Sequence, residues 1–427
     1  MNFKQRGSQS LNYHDPTRAY NGYTLFSEMG NNNVWLIDMT GRIVHRWKMS
    51  LCLRGHYGVL LPNGNLLYAG KTGKEPLPEF GGSLGILMEV DWNGKVVWKY
   101  EDEYMSHDFF RMKNGNTMVL RWIRTPDDIA AKVKGGVSGS EREGVMWSDG
   151  LHEINSQGGV VWEWKSYEHF DFDKDAICPV NLRDRWGQAN AVHVMPDGNV
   201  LLSFAYMDLI EIVDKATGHI KWRWGGTGEL GFQHNPNVLD NGNILLFDNG
   251  RYRPQAPDYS RVIEINPETN KVEWEYTGEP PHSFYASFMG GAQRLPNGNT
   301  LICESAHGHF FEVTPEGEVV WEYVNPFYYE TARFGKATRF GKTNMTFRAY
   351  RYSPDYPGLR GTGLDDMNVI YGPEGFSSLP GAQSGVKGTL GTSFAEENEK
   401  MPSVGKRDQK DAGEESKIRS RIDQLGY

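Results

Sequence analysis

The chain has 427 residues, a formal net charge of -9, 13 Trp and an aromatic content of 13%. The acidic balance argues against nucleic-acid binding, which needs a basic patch, and Cys52, Cys178 and Cys303 are too few and too scattered for a disulfide framework or a zinc site. No apolar run approaches membrane-spanning length and Met1-Asn-Phe-Lys-Gln-Arg-Gly-Ser lacks an apolar leader core, so a soluble, cytoplasmic protein is expected, with no membrane partner.

Residues 1–19 are polar and read as an N-terminal arm. From Asn21-Gly22 onward, Tyr23-Thr-Leu-Phe, Val34-Trp-Leu-Ile-Asp and Ile43-Val-His-Arg-Trp47 read as three strands. A phrase then recurs between apolar runs: Leu61-Pro-Asn-Gly-Asn65, Lys113-Asn-Gly-Asn116, Pro196-Asp-Gly-Asn199, Asp240-Asn-Gly-Asn243 and Pro296-Asn-Gly-Asn299. Each marks the tight turn of an inner hairpin. A second phrase, a Gly or Asn turn followed by a β-branched pair and two alternating aromatics, recurs with His45/Trp47, Trp98/Tyr100, Trp162/Trp164, Trp222/Trp224, Trp274/Tyr276 and Trp321/Tyr323. A four-stranded unit of this size cannot bury both faces alone, and repetition at roughly 45 to 60 residues suits a propeller. The fold class expected is therefore all-β, a six-bladed β-propeller over residues 20–356.

The blade built from Tyr23 to Trp47 lacks its first strand. Asn344 to Tyr352 alternates apolar and polar residues and is expected to supply it, an N/C-terminal strand closure that removes a sheet edge. Two insertions interrupt the repeat. Trp122 to Trp147 carries a helix start at Thr125-Pro-Asp-Asp, and Tyr167 to Trp186 is acidic. Residues 357–427, rich in Gly, Ser, Lys and Glu, form a polar C-terminal extension expected to be largely irregular or disordered, with a short helix near Ile418 to Leu425.

Aligning the blades on their Asn-Gly turns gathers chemistry at one mouth. Seven positions before the turn stand His56, His107, Asn190, His234 and Gly290, and eight after its final Asn stand Arg124, Met207, Arg251 and His307. Several imidazoles in one repeat slot are costly to bury without a task. By contrast, His45 replaces a repeat Trp and reads as inter-blade packing, as does His193 within a first strand.

The ordered set Phe232-Gln-His234-Asn, Leu239 to Arg251 with its Asp-Asn-Gly-Arg ending, Tyr259-Ser-Arg-Val-Ile-Glu264 and Met289 to Ile302 resembles the bacterial arylsulfate sulfotransferases. The resemblance spans about Gly22 to Tyr352. It implies a six-bladed propeller that moves a sulfuryl group from a phenolic sulfate ester to a phenolic acceptor through a sulfohistidine, with no cofactor. It also implies that His234 and Arg251 are catalytic and that His307 is the nucleophile with His309 as the neighbouring candidate; the blade alignment adds His56 and His107 to the catalytic set. Gln188 stands where the family's Trp-x-His-x-Asn histidine would be, in Trp186-Gly-Gln188-Ala-Asn190, so Gln188, Asn190, Arg124 and His309 are assigned to substrate binding. The partners the resemblance implies are the small aromatic sulfate ester and the phenolic acceptor; a homodimer is a separate expectation for the assembly.

Two other classes of function fit the same residues. His56, His107, His234 and His307 could ligate one transition metal in a hydrolase, lyase or oxygenase. A non-catalytic propeller could instead bind a ligand or protein at its mouth.

Overall fold

The computed structural model of the chain describes residues 10–29, 32–49, 55–253, 258–333 and 336–364. Each Asn-Gly turn is built the same way. Its Gly takes a positive φ, from 84° at Gly242 to 89° at Gly298, a region open to Gly at no steric cost. The Asn or Asp before it accepts a hydrogen bond from the backbone two residues on, as Asn63 Oδ1 does from Asn65 N at 3.1 Å. The final Asn then reaches sideways. Asn65, Asn116, Asn243 and Asn299 donate to Glu89, Glu153, Glu264 and Glu312 on the third strand of their own blades at 2.6–2.7 Å. The repeated Asn thereby ties strand one's turn to strand three.

These hairpins assemble into six four-stranded antiparallel sheets in a ring. The first blade is Ala349–Tyr352, Tyr23–Ser27, Asn33–Ile37 and Ile43–Lys48, and the second runs from Gly55–Leu60 to Val96–Glu101. The third runs from Met105–Arg111 to Val160–Lys165, and the fourth from Ala189–Val194 to Ile220–Gly225. The fifth runs from His234–Val238 to Lys271–Thr277, and the sixth from Gly291–Arg294 to Val319–Val324. Closure pairs Tyr23 with Tyr352 and Phe26 with Ala349. The inner strand is shorter than the expected Asn344 to Tyr352, because Phe347 and Arg348 turn inward and are buried instead of extending the ladder.

One Trp per blade records the ring. Trp47, Trp98, Trp164, Trp222, Trp274 and Trp321 each donate an indole N–H to the next blade, at Asp91 O, Ser156 O, Gly218 O, Asn270 Oδ1, Pro315 O and Met39 O, over 2.8–3.1 Å. The last of these returns from the sixth blade to the first. His45 also packs between blades: it stacks on Trp92 at 3.9 Å and its Nε2 donates to Trp92 O.

Ser10–His14, within the expected N-terminal arm, adds a fifth strand outside Val319–Val324. The first insertion holds one helical turn, Asp127–Ala130, and its Gly135–Val137 pairs in parallel with Ile177–Leu182 of the second insertion. The C-terminal extension begins by packing: Leu359 is buried in the core between the first two blades and Tyr356 donates to Leu60 O. The short helix expected near Ile418 to Leu425 lies outside the described residues, as does Cys52. No described helix is long and apolar enough to cross a membrane.

Candidate functional site

Every connection from a second to a third strand opens on the same mouth, as do the starts of the first strands. His56, His107 and His234 stand at those starts and are 9%, 4% and 4% exposed. The link from the sixth blade to the closing strand brings Phe347 between them. Its ring centroid lies 4.9 Å from His56, 5.3 Å from His107 and 6.4 Å from His234, and the first two imidazoles are 5.4 Å apart. Beside Phe347, Arg348 is fully buried and pairs with Asp108 at 2.8 and 3.3 Å. Asp108 also accepts from the Tyr57 hydroxyl and from Val192 N. This group joins the second, third and fourth blades to the closing strand.

Burial, with help from Lys71 and Arg348, lowers the pKa of His56 to about 3. Burial also holds His107 well below its usual range, reinforced by His56, His234 and Arg348. His234 falls to about 4, chiefly through burial, although the Asn249 hydrogen bond opposes the shift. All three rings are therefore neutral at pH 7.

The tautomer of His234 follows from its neighbours. Asn249 Nδ2 donates to Ala286 O and Met289 O at 2.6 Å, which leaves its Oδ1 as an acceptor. His234 Nδ1 faces that Oδ1 at 2.8 Å and Phe232 O at 2.9 Å. Both accept, so Nδ1 carries the proton and Nε2 keeps its lone pair.

Arg251 stands on the rim of the same mouth. Its guanidinium lies 5.2 Å from the Phe232 ring and 4.5 Å from the Tyr252 ring, and it donates to the Tyr252 hydroxyl. Asp248, the carboxylate nearest in sequence, is taken by Arg253 and Arg261. Among the described residues no carboxylate pairs with Arg251. A second arginine, Arg185, stacks between Phe80 and Tyr206 at 4.4 and 4.7 Å, but Asp184 pairs with it at 3.0 Å.

His307 closes the short turn Ser305–His307 after the second strand of the sixth blade. Its side chain is 42% exposed. Nε2 donates to Tyr285 O at 3.2 Å, so Nδ1 holds the lone pair. No described contact joins it to the buried trio. It meets the site through Tyr285, whose hydroxyl feels the charge of Arg251.

Two of the expected substrate-binding residues are placed otherwise. His309 is 5% exposed inside the third strand of the sixth blade, where Nδ1 donates to Glu304 at 2.8 Å and Nε2 to Glu322 at 2.9 Å. Burial opposes its charge, but these two carboxylates outweigh it and raise the pKa to about 9. A ring with both nitrogens protonated has no lone pair to attack with, which also removes it as the alternative nucleophile. Arg124 extends toward solvent, 60% exposed, and pairs with Asp127 at 3.0 Å. Gln188 is buried and accepts from Arg185 at 2.7 Å, while Asn190 donates to Gln233 O at 2.7 Å and leaves its buried Oδ1 without a partner.

Among the described residues no three His, Cys, Asp or Glu side chains are grouped to hold a metal ion. Phe347 stands among the three buried imidazoles, and His307 is engaged elsewhere. A groove of about 520 Å³ lined by Arg223, Trp224, Gly225, Glu229, Asn270 and Val272 lies on the outer strands of the fourth and fifth blades and shares no residue with this mouth.

Sequence reasoning missed Phe347, Arg348, Asp108, Asn249 and Glu304. Asp108 carried a visible signal, a carboxylate beside His107 in an otherwise apolar strand. Phe347 and Arg348 carried none beyond alternation.

A family model described as arylsulfotransferase (ASST) matches residues 58–326. No curated protein matches the chain. Among solved structures, a protein of unknown function from Bacteroides caccae is similar at 15% identity and a TM-score of 0.48, over 71% of this chain and 93% of its own. Virginiamycin B lyase from Staphylococcus aureus is similar at 10% identity and a TM-score of 0.43, over 75% of this chain and 88% of its own.

Proposed function

The chain belongs to the arylsulfotransferase family, and from that premise we propose that it moves a sulfuryl group from a phenolic sulfate ester to a phenolic acceptor through a sulfated His307. The observation that carries the reading is Arg251: a guanidinium with no carboxylate partner among the described residues, flanked by aromatic rings, on the mouth shared with His234 and His307. A planar fork suits the sulfate oxygens, and Phe232, Tyr252 and Tyr285 suit the phenyl ring.

In this reading His307 Nδ1 attacks sulfur, the sulfur–aryloxygen bond breaks, and its electron pair leaves on the phenolate. The acceptor's oxygen then attacks the same sulfur and the nitrogen–sulfur pair returns to the imidazole. His234 Nε2 is neutral and unprotonated, so it serves as the base that takes the acceptor's proton. Neither step requires a metal or a nucleotide. Gln188, which cannot titrate, leaves proton transfer to His234.

The test uses 4-nitrophenyl sulfate as donor with a phenol as acceptor. His307→Ala abolishes turnover, and rapidly quenched wild-type protein gains one sulfuryl mass on the peptide containing Ala306 to His309. Arg251→Lys keeps the charge but loses the fork, and turnover falls about 100-fold. Sulfation at another histidine, or unchanged turnover in His307→Ala, would overturn the assignment.

A further inference from the structure

The two rings that flank the Arg251 guanidinium, Phe232 and Tyr252, both stand on left-handed backbone, with φ 62° and 65°. Residues with a β-carbon avoid that region, and where a bulky one occupies it the surrounding structure must hold it there. For Phe232 the holding contacts can be followed along the chain. Its N–H donates to Asp208 Oδ1 at 2.8 Å, and its carbonyl accepts from His234 Nδ1 at 2.9 Å. One residue earlier, Gly231 N donates to Asp248 Oδ1 at 2.9 Å. One residue later, Gln233 Nε2 donates to Leu209 O at 2.8 Å and to Ser203 Oγ at 3.0 Å.

Asp208 lies in the link between the second and third strands of the fourth blade, 5% exposed and itself left-handed at φ 54°. Its carbonyl accepts from Gly226 N at 2.7 Å, which fixes its own backbone. Gln233 already ties this segment to the fourth blade, so joining the blades does not require a buried carboxylate. Asn or Gly would make the same left-handed turn without the cost of burying a charge. The groups facing the Asp208 carboxyl are the Cys178 thiol, which donates to it, Asp248 and Arg251. Burial outweighs the Phe232 and Cys178 hydrogen bonds and raises its pKa to about 6, so it is ionised at pH 7 and its charge is felt by Arg251. What the carboxylate adds is a strong acceptor for the one N–H on which the Phe232 conformation depends.

We propose that Asp208 is a positioning residue: by holding the Phe232 N–H it keeps the Phe232 ring against the Arg251 guanidinium, where the donor's sulfate and phenyl groups bind. The inference rests on the sulfuryl-transfer reading for that donor, whereas the ring's placement is measurable without turnover. Releasing the N–H lets Phe232 return to extended backbone, which swings its ring away from Arg251. His234 keeps its tautomer, because Asn249 Oδ1 still accepts from Nδ1. The loss therefore falls on donor binding and appears in KM rather than in kcat.

The experiment uses the full chain with 4-fluorophenylalanine in place of Phe232, whose single fluorine resonance senses the guanidinium. Arg251→Gln is expected to move that resonance in the wild-type background and to leave it unmoved in Asp208→Gly, which removes the carboxylate and suits the left-handed backbone. Asp208→Asn keeps a side-chain oxygen for the N–H and restores the response. Donor KM for 4-nitrophenyl sulfate is expected to rise about tenfold in Asp208→Gly and to return toward the wild-type value in Asp208→Asn. Should Asp208→Gly not fold, Asp208→Leu, which fills the same space without an acceptor, takes its place. If the fluorine response follows Asp208 while wild type transfers no sulfuryl group, the positioning role stands and the sulfuryl-transfer reading falls. An equal response to Arg251→Gln with and without the Asp208 side-chain oxygen would overturn the positioning role whatever the donors do.

Discussion

Twelve histidines share one side-chain chemistry, and their surroundings divide them. His56, His107 and His234 are buried with no carboxylate paired to them among the described residues, so their charged forms are disfavoured, whereas His309 is equally buried but lies between two carboxylates and keeps its proton. The two sets bind protons oppositely relative to an unfolded histidine near 6.5. The unfolded chain protonates His56 and His234 as pH falls from 6.5 toward 3 to 4 while the folded chain does not, so stability declines across that window. His309 stays protonated in the folded chain up to about 9, so its contribution is complete below 6.5 and is lost as pH rises through 9. That loss is on the order of 3 kcal/mol. Urea unfolding from pH 4 to 10 is expected to show a stability maximum near pH 6.5. In His309→Gln the alkaline decline disappears and the acid one remains; an unchanged alkaline decline would show that His309 does not carry it.

At the scale of the element, the ring is made by a repeated indole donor. The six ties differ in burial, and their values should follow it. Trp321 is fully buried and its N–H reaches Met39 O at the closure, so Trp321→Phe strands a buried carbonyl and opens a cavity. We expect a loss of about 2–4 kcal/mol. Trp274 makes the equivalent bond to Pro315 O near solvent, and Trp274→Phe should cost about 1 kcal/mol or less because water replaces the donor. Denaturant midpoints of the two variants decide this. Equal losses would mean that the tie matters for packing alone.

For the molecule as a whole, closure is the decisive event, because Ala349–Tyr352 gives the first blade its inner strand and Phe347 and Arg348 fill the centre on the way. Truncation after Leu364 leaves every described strand in place and should give monodisperse folded protein. Truncation before Asn344 removes the strand, exposes the Tyr23–Ser27 edge and leaves Asp108 buried without its cation, so aggregation is expected. Size-exclusion chromatography with light scattering separates these outcomes. Monodisperse protein from the longer truncation would refute the closure as the element that completes the ring.

The repeat made the architecture legible. Asn-Gly turns, alternating apolar runs and paired aromatics are short-range signals, each dictated by a local backbone or packing need, so blade number and closure could be read in order along the chain. The same alignment brought His56, His107 and His234 to one place, because equal positions in equal blades project to equal points around an axis. It could not separate His307 from His309, since the chain leaves the turn Ser305–His307 through a left-handed Gly308 before the third strand begins, and so one histidine stays at the rim while the other lies between two glutamates. Nor could it assign charge. Whether an imidazole is neutral or protonated depends on carboxylates brought from other strands and on the depth of burial, as Glu322 does for His309 and Phe347 and Arg348 do for the trio. Those are long-range encounters, and only the folded ring decides them.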